Sequence, residues 1–231
     1  NMKLSIIICV LNEIKKIKIL LEKINFVNLP DKISKEVIIV DNCSTDGTKE
    51  YLKTLEGKDN YKIYFQEQNL GKGDSVIKGM SFVTGDLTIL QDADLEYDPD
   101  NYISLINYMN KHNLDGVFGS RILHAEDHFT YKLNKIAVII LSNFINLLYK
   151  SSYTDTATNH KLIKTSVMKN LNLISKGFDL DFEIAAKLAK YNYRIGEIPI
   201  KYHPRTYKEG KKINFLDALK SFFAIIYFYF N

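Results

Sequence analysis

The chain has 231 residues, 46% of them hydrophobic, enough to bury one substantial core and ordinary for a single α/β domain. Two cysteines, Cys9 and Cys43, exclude a disulfide framework and a four-cysteine zinc site, so both are expected as free thiols in a reducing compartment. The formal net charge of +4 is unevenly spread: Lys201, Arg205, Lys208, Lys211 and Lys212 form a basic segment suited to an anion.

In chain order, Asn1-Met2-Lys3 runs into the first strand without the charged and apolar regions of a signal peptide, so cytoplasmic residence is expected. Residues 4–10 and 36–40 are continuous aliphatic runs, and between them Ile14, Ile17, Leu20, Leu21 and Ile24 recur at helical spacing. This is a βαβ unit. Runs that are continuous rather than alternating imply burial on both faces, hence a mostly parallel sheet covered by helices. Further strands are expected at 61–65, 87–90 and 117–119. The second half reads as more helical, with helices over 133–149, from near 164, and over 181–190. Residues 195–202 read as a returning strand, which Pro199 places at a sheet edge. No stretch reaches the roughly 20 apolar residues of a spanning helix. The runs 136–149 and 222–230 are therefore expected as core helices or as elements lying against a membrane surface.

Ligands of open α/β sheets bind beyond the carboxyl ends of the strands. Three polar clusters fall there: Asn12-Glu13, Asp41 to Thr48, and Gln91-Asp92-Ala93-Asp94-Leu95-Glu96. Asp92 and Asp94, one residue apart at a strand end, can turn toward one hard cation, Mg²⁺ or Mn²⁺, whose natural cargo is a diphosphate. A short D-x-D also occurs by chance in Asp-rich turns. Asp41 ends a buried strand, where an unpaired carboxylate is costly, and so calls for a ribose or base edge. Asn69-Leu70-Gly71-Lys72-Gly73 precedes a helix and could cradle phosphates or simply form a turn. It matches neither the P-loop nor the G-x-G-x-x-G pattern.

Together these segments, with Gly119-Ser120-Arg121, Thr154-Asp155 to Lys161, Gly177 to Glu183 and His203 to Ile213, resemble family 2 glycosyltransferases of the GT-A fold. The likeness is strongest to the branch that makes dolichol-phosphate and polyprenyl-phosphate sugars. It implies a single GT-A domain over 1–231. Residues 1–120 would form the nucleotide-sugar-binding half, and 121–231 an acceptor-side half with the basic segment and an apolar C-terminal helix. By the same resemblance Asn12, Glu13, Asp41, Lys72, Gly73 and Asp92 contact the nucleotide sugar, while Asp92, Asp94 and Glu96 hold the metal with the diphosphate. Arg121, Lys135 and Arg205 face the acceptor phosphate or donor diphosphate, helped by Lys211 or Lys212, with His203 beside Arg205. The chain departs from the family at Cys9 and Leu11, usually Pro and Tyr. It departs again at Thr158-Asn159-His160-Lys161, often Thr-Cys-Tyr-Lys or Thr-Ser-Gly-Phe-Arg.

The expected reaction is inverting transfer of a hexose from a GDP- or UDP-sugar to a polyprenyl phosphate at the inner face of a membrane, with no nucleic-acid partner. A lipid monophosphate is already anionic near neutral pH, with a second pKa of about 6, and needs no protein base. A saccharide hydroxyl would need one, for which Glu183 or Asp181 is the candidate. A non-catalytic nucleotide-sugar-binding or membrane scaffold protein is the third reading.

Overall fold

The computed structural model describes residues 2–58, 60–123, 130–205 and 215–231. The aliphatic runs become β1 (Lys3–Val10) and β2 (Ser34–Asp41), joined by α1 (Ile14–Phe26). Then follow α2 (Thr48–Lys53), β3 (Tyr61–Phe65), α3 (Lys72–Met80), β4 (Leu87–Asp92), α4 (Asn101–His112) and β5 (Gly116–Ser120). The second half contributes α5 (Lys132–Tyr149), β6 (Lys161–Lys164), α6 (Thr165–Asn170), α7 (Leu180–Lys190), β7 (Ile195–Pro199) and α8 (Phe215–Phe230).

Among the described residues one seven-stranded sheet runs in the order β3-β2-β1-β4-β6-β5-β7. Every pairing is parallel except those of β6, which lies antiparallel between β4 and β5. The expected mostly parallel sheet is therefore present, with Pro199 on the edge strand. β6 itself escapes the apolar pattern, because four residues with lysine at both ends carry no run.

Successive side chains of a strand point to opposite faces, and β1 shows it. Ile6, Ile8 and Val10 pack with Leu20 and Ile24 of α1 on one face, while Ile7 packs with Val76, Leu141 and Ile184 on the other. Both faces are dry, as the continuous runs require.

One consequence positions the site. Because β6 runs antiparallel, the segment that leads into it, residues 154–160, arrives at the same rim as the carboxyl ends of β1, β2, β4 and β5. A bridge between Tyr97 and Tyr202 returns the chain after β7 to that rim as well.

α5 and α8 pair through stacked Phe144 and Phe222, ring centroids 4.7 Å apart, and a Tyr149 hydroxyl donating to the Ile225 carbonyl at 2.8 Å. Their outer faces stay exposed, with Leu133 79%, Leu147 77% and Phe230 78% accessible. α5 corrects the sequence reading of this segment: at 18 residues and mean hydropathy 1.2 it is long and apolar enough, by length and composition, to cross a membrane.

Candidate functional site

The rim opens into a cleft of about 890 Å³ that runs from Asn42 and Asn69, past Asp92 and Asp94, to the α5–α8 wall of Leu133 and Ala218.

At its base end the loops after β1 and β2 are tied together. Asn12, at φ +57°, accepts from the Thr45 amide (2.7 Å) and its own amide donates to Ser44 Oγ (2.9 Å). Asn12 is exposed and is a loop clamp outside the cleft lining. Asp41 is fully buried; one oxygen accepts from the Ser44 amide at 3.1 Å and the other has no hydrogen-bond partner. A buried carboxylate oxygen without a partner calls for an explanation, but Asp41 itself lies outside the cleft lining, which its neighbour Asn42 joins.

Lys72 sits where the cleft narrows. Its ammonium lies 3.2 Å from Asp92 and 3.6 Å from Asp181. Burial alone would lower its pKa, but the two carboxylates override that and raise it. The flanking glycines put it there by close packing rather than by cradling phosphate. A Cβ on Gly71, at φ +96°, would lie 2.3 Å from the Lys176 carbonyl oxygen, and one on Gly73 would lie 2.1 Å from that of Ser175. Gly73, expected to touch the nucleotide, is buried against the 175–176 backbone outside the cleft lining. Asp181 is in turn held by the fully buried Lys161 at 2.8 Å. Burial draws the Lys161 ammonium below its ordinary pKa, and Asp181 opposes the shift. Cys9 also lines the cleft as a free thiol, its pKa pushed up to about 12, chiefly by burial.

The expected metal carboxylates meet an arginine. Arg205 ion-pairs with Asp94, with Glu13 at 3.1 Å and with Glu96 at 3.3 Å. Glu96 also takes the Tyr202 hydroxyl at 2.7 Å and the Arg205 amide at 2.9 Å, so both its oxygens anchor the 202–205 segment. Glu96, expected as a metal ligand, lines the cleft with its oxygens engaged by Tyr202 and Arg205. Asp94 is pushed up to about 7 by burial and by Asp92 and Glu96, against the pull of Arg205. Negative charge here exceeds what one guanidinium neutralises.

Among the described residues no three His, Cys, Asp or Glu side chains are grouped to hold a metal. Two carboxylates suffice for Mg²⁺-type binding when substrate phosphates complete the shell. The hard oxygens of Asp92 and Asp94, in surplus negative charge, fit such a cation.

Across the cleft Arg121 is held differently. Asp155, wholly buried, takes its Nε at 2.7 Å, its Nη2 at 2.8 Å and its amide at 3.0 Å, while Glu197 fixes the Thr154 and Asp155 amides at 2.7 and 3.1 Å. Asp155 lies 34 residues away in the chain, a pairing that no local pattern announces.

Besides Asn12, Asp41 and Gly73, three further expected residues lie outside the cleft lining. Glu183 is wholly buried, accepting from the Ile174 and Ser175 amides at 3.0 and 2.8 Å and pairing with Lys187 at 2.5 Å; it closes the turn before α7 and faces no cleft. Lys135 lies one turn beyond Lys132 on α5, and of the two only Lys132 lines the cleft. His203 is exposed outside the lining, its amide donating to the Glu96 carbonyl at 2.8 Å. Lys211 and Lys212 lie outside the described residues.

A doubly covered sheet with acidic residues at the switch between β1 and β4 defines a nucleotide-sugar transferase architecture, the GT-A fold. The likeness extends over the whole chain to glucosyl-3-phosphoglycerate synthase from Mycobacterium tuberculosis, solved with Mn²⁺, UDP and phosphoglyceric acid: TM-score 0.71, 14% identity, 99% of this chain and 79% of that one. S. aureus TarS, solved with UDP-GlcNAc, gives a TM-score of 0.64 at 19% identity over 98% of this chain and 66% of that one.

The sequence pattern of Glycosyl transferase family 2 matches residues 5–171, and the chain belongs to that family. It is 28% identical over 214 residues to a dolichol-phosphate mannosyltransferase of Pyrococcus furiosus, covering 91% of this chain and 59% of that protein. It is also 28% identical over 218 residues to a UDP-N-acetylglucosamine–dolichyl-phosphate N-acetylglucosaminyltransferase of Methanococcus voltae, covering 86% and 87%. The chain thus spans under two thirds of the Pyrococcus protein and most of the Methanococcus one.

Proposed function

We propose that the chain transfers a hexose from a nucleoside diphosphate sugar to a polyprenyl phosphate, with inversion and with Mg²⁺ or Mn²⁺ held by Asp92 and Asp94. The observation that carries this reading is the continuity of the cleft, which joins an acidic rim suited to a metal diphosphate with the apolar wall of α5 and α8. Relatives named for mannosyl and N-acetylglucosaminyl transfer to dolichyl phosphate support the same pairing of substrates.

The bound cation would neutralise charge on the departing nucleoside diphosphate. Lys72, between Asp92 and Asp181, is placed to pair with the same diphosphate. An acceptor phosphate oxygen would attack the sugar's anomeric carbon from the face opposite the diphosphate, forming the new C–O bond as the old one breaks. Arg121, its guanidinium fixed edge-on by Asp155, is oriented before substrate arrives, which reduces the cost of aligning that phosphate. Arg205 pairs with Asp94 and would exchange partners when the cation binds. The exposed apolar faces of α5 and α8, with Lys132 and Lys135 at the start of α5, suit the surface of an anionic bilayer. A saccharide acceptor would need a base, and the carboxylate within the cleft for that task is Asp181, not Glu183.

The test is transfer from radiolabelled UDP- and GDP-hexoses, with Mn²⁺, offered dolichyl or undecaprenyl phosphate and soluble saccharides side by side. A labelled lipid is expected. Absence of lipid product from every donor overturns the reading, and labelled saccharide alone replaces it with the hydroxyl-acceptor reaction.

A further inference from the structure

Three buried side-chain atoms among the described residues have no hydrogen-bond partner: Asp41 Oδ1, Asn134 Nδ2 and Asn159 Oδ1. Buried polar groups are almost always paired, because leaving one unpaired costs about 1–3 kcal/mol, so each calls for an explanation. Asp41 stands at the base end of the rim and Asn134 on the α5 wall. Asn159 is 2% exposed and lines the cleft between them.

Its backbone is rigidly placed. The Asn159 amide donates to Tyr97 Oη at 3.1 Å, its carbonyl accepts from the Lys161 amide at 2.8 Å, and the next residue, His160, sits 3.0 Å from Gln91 Oε1. The side chain, by contrast, makes no hydrogen bond within the described protein. β6 is antiparallel to β4, so this residue, two before β6, reaches the rim beside Asp92. It stands on the far side of β4 from β1 and β2, where the base-side residues are. Along that rim the order is Asp41, then Asp92 and Asp94, then Asn159. A ligand whose base lies against Asn42, the neighbour of Asp41 that lines the cleft, and whose diphosphate lies at Asp92 carries its sugar onto Asn159.

We infer that Asn159 is a specificity-determining residue for the transferred sugar, its carboxamide pairing with a pyranose hydroxyl. A carboxamide both accepts and donates, as does a hydroxyl, so one sugar hydroxyl satisfies the orphaned atom. A site that leaves its own polar group unpaired without the matching hydroxyl discriminates more strongly than an apolar pocket does. The inference rests on reading the cleft as a nucleotide-sugar site.

The test is calorimetric binding of UDP, GDP, UDP-glucose, UDP-N-acetylglucosamine and GDP-mannose, with Mn²⁺, to the wild-type chain and to Asn159→Ala and Asn159→Asp. Thermal unfolding of each free protein is measured in parallel. The wild type is expected to bind its preferred nucleotide sugar, and Asn159→Ala to weaken that binding about tenfold, the equivalent of 1.4 kcal/mol. Affinity for the bare nucleotide should be unchanged. The free Asn159→Ala protein should melt no lower than the wild type, since its side chain pairs with no protein group, a result that a structural asparagine would not give. Equal weakening of bare nucleotide and nucleotide sugar, or no change in either, overturns the inference while leaving the proposed function standing. Failure of the wild type to bind any nucleotide sugar overturns both.

Discussion

Arg121 and Arg205 face one cleft and are held in opposite ways. Arg121 is held to the wholly buried carboxylate of Asp155 by two side-chain hydrogen bonds and a third from its own amide. Arg205 divides its guanidinium among Glu13, Asp94 and Glu96, and the Asp94 carboxyl is pushed up to about 7 by burial and by its acidic neighbours. The first arrangement fixes a charge in space before any ligand arrives. The second is a counter-ion in a place that still carries surplus negative charge, and a cation can take it over. The Arg121 side of the cleft is thus pre-set while the Arg205 side is exchangeable.

The sharpest break of that contrast is Asp155→Ala, which strands the Arg121 charge in the interior and should cost about 3–5 kcal/mol in urea unfolding. A cost below about 1 kcal/mol would mean that Arg121 is not locked. Glu183→Gln should cost roughly 2 kcal/mol, because it weakens the pairing with Lys187 and the capped turn at 174–175, yet leave kcat of the folded protein within a few-fold. A collapse of kcat at unchanged stability would return Glu183 to catalysis.

His160 belongs to the locked side and gives a pH signature. Burial holds it neutral, its pKa lowered to about 3, while the unfolded chain titrates near 6.5. Between those values only the unfolded state takes up the proton, so stability is full above pH ~6.5 and declines as pH falls toward 3. From pH 6.5 to 4.5 the wild type should lose about 2 kcal/mol, and His160→Phe should flatten that part of the curve. Equal slopes would contradict it. The smallest effect is expected at the exchangeable arginine. Arg205→Ala should cost about 1 kcal/mol without metal, and added Mn²⁺ should stabilise the variant more than the wild type in a thermal shift.

The two sides also differed in how much could be read from the sequence. β1, β2 and the D-x-D turn are local signals, a dry aliphatic run ending in carboxylates, and the structure places them as expected. The Arg121 side is built from distant pairings: Arg121 with Asp155, Lys161 with Asp181, and Thr154 with Glu197. None leaves a periodic trace, and β6, which brings 154–160 to the rim, is too short to show one. Two local signals misled for a physical reason. Gly73, expected at the nucleotide, instead permits a backbone crossing at 175–176, and Glu183, a candidate base at a helix start, caps the turn behind it. Residue type was informative in each case, and only packing could say which neighbour required it.

The most direct test is the initial rate of lipid-linked sugar formation against Mn²⁺ concentration for the wild type and Asp94→Asn. The wild-type rate should rise to saturation with Mn²⁺ and vanish in chelator, while Asp94→Asn should fall by roughly 100-fold or more at every concentration. Transfer at the wild-type rate in chelator, or by Asp94→Asn, would contradict a rim whose carboxylates anchor the leaving diphosphate.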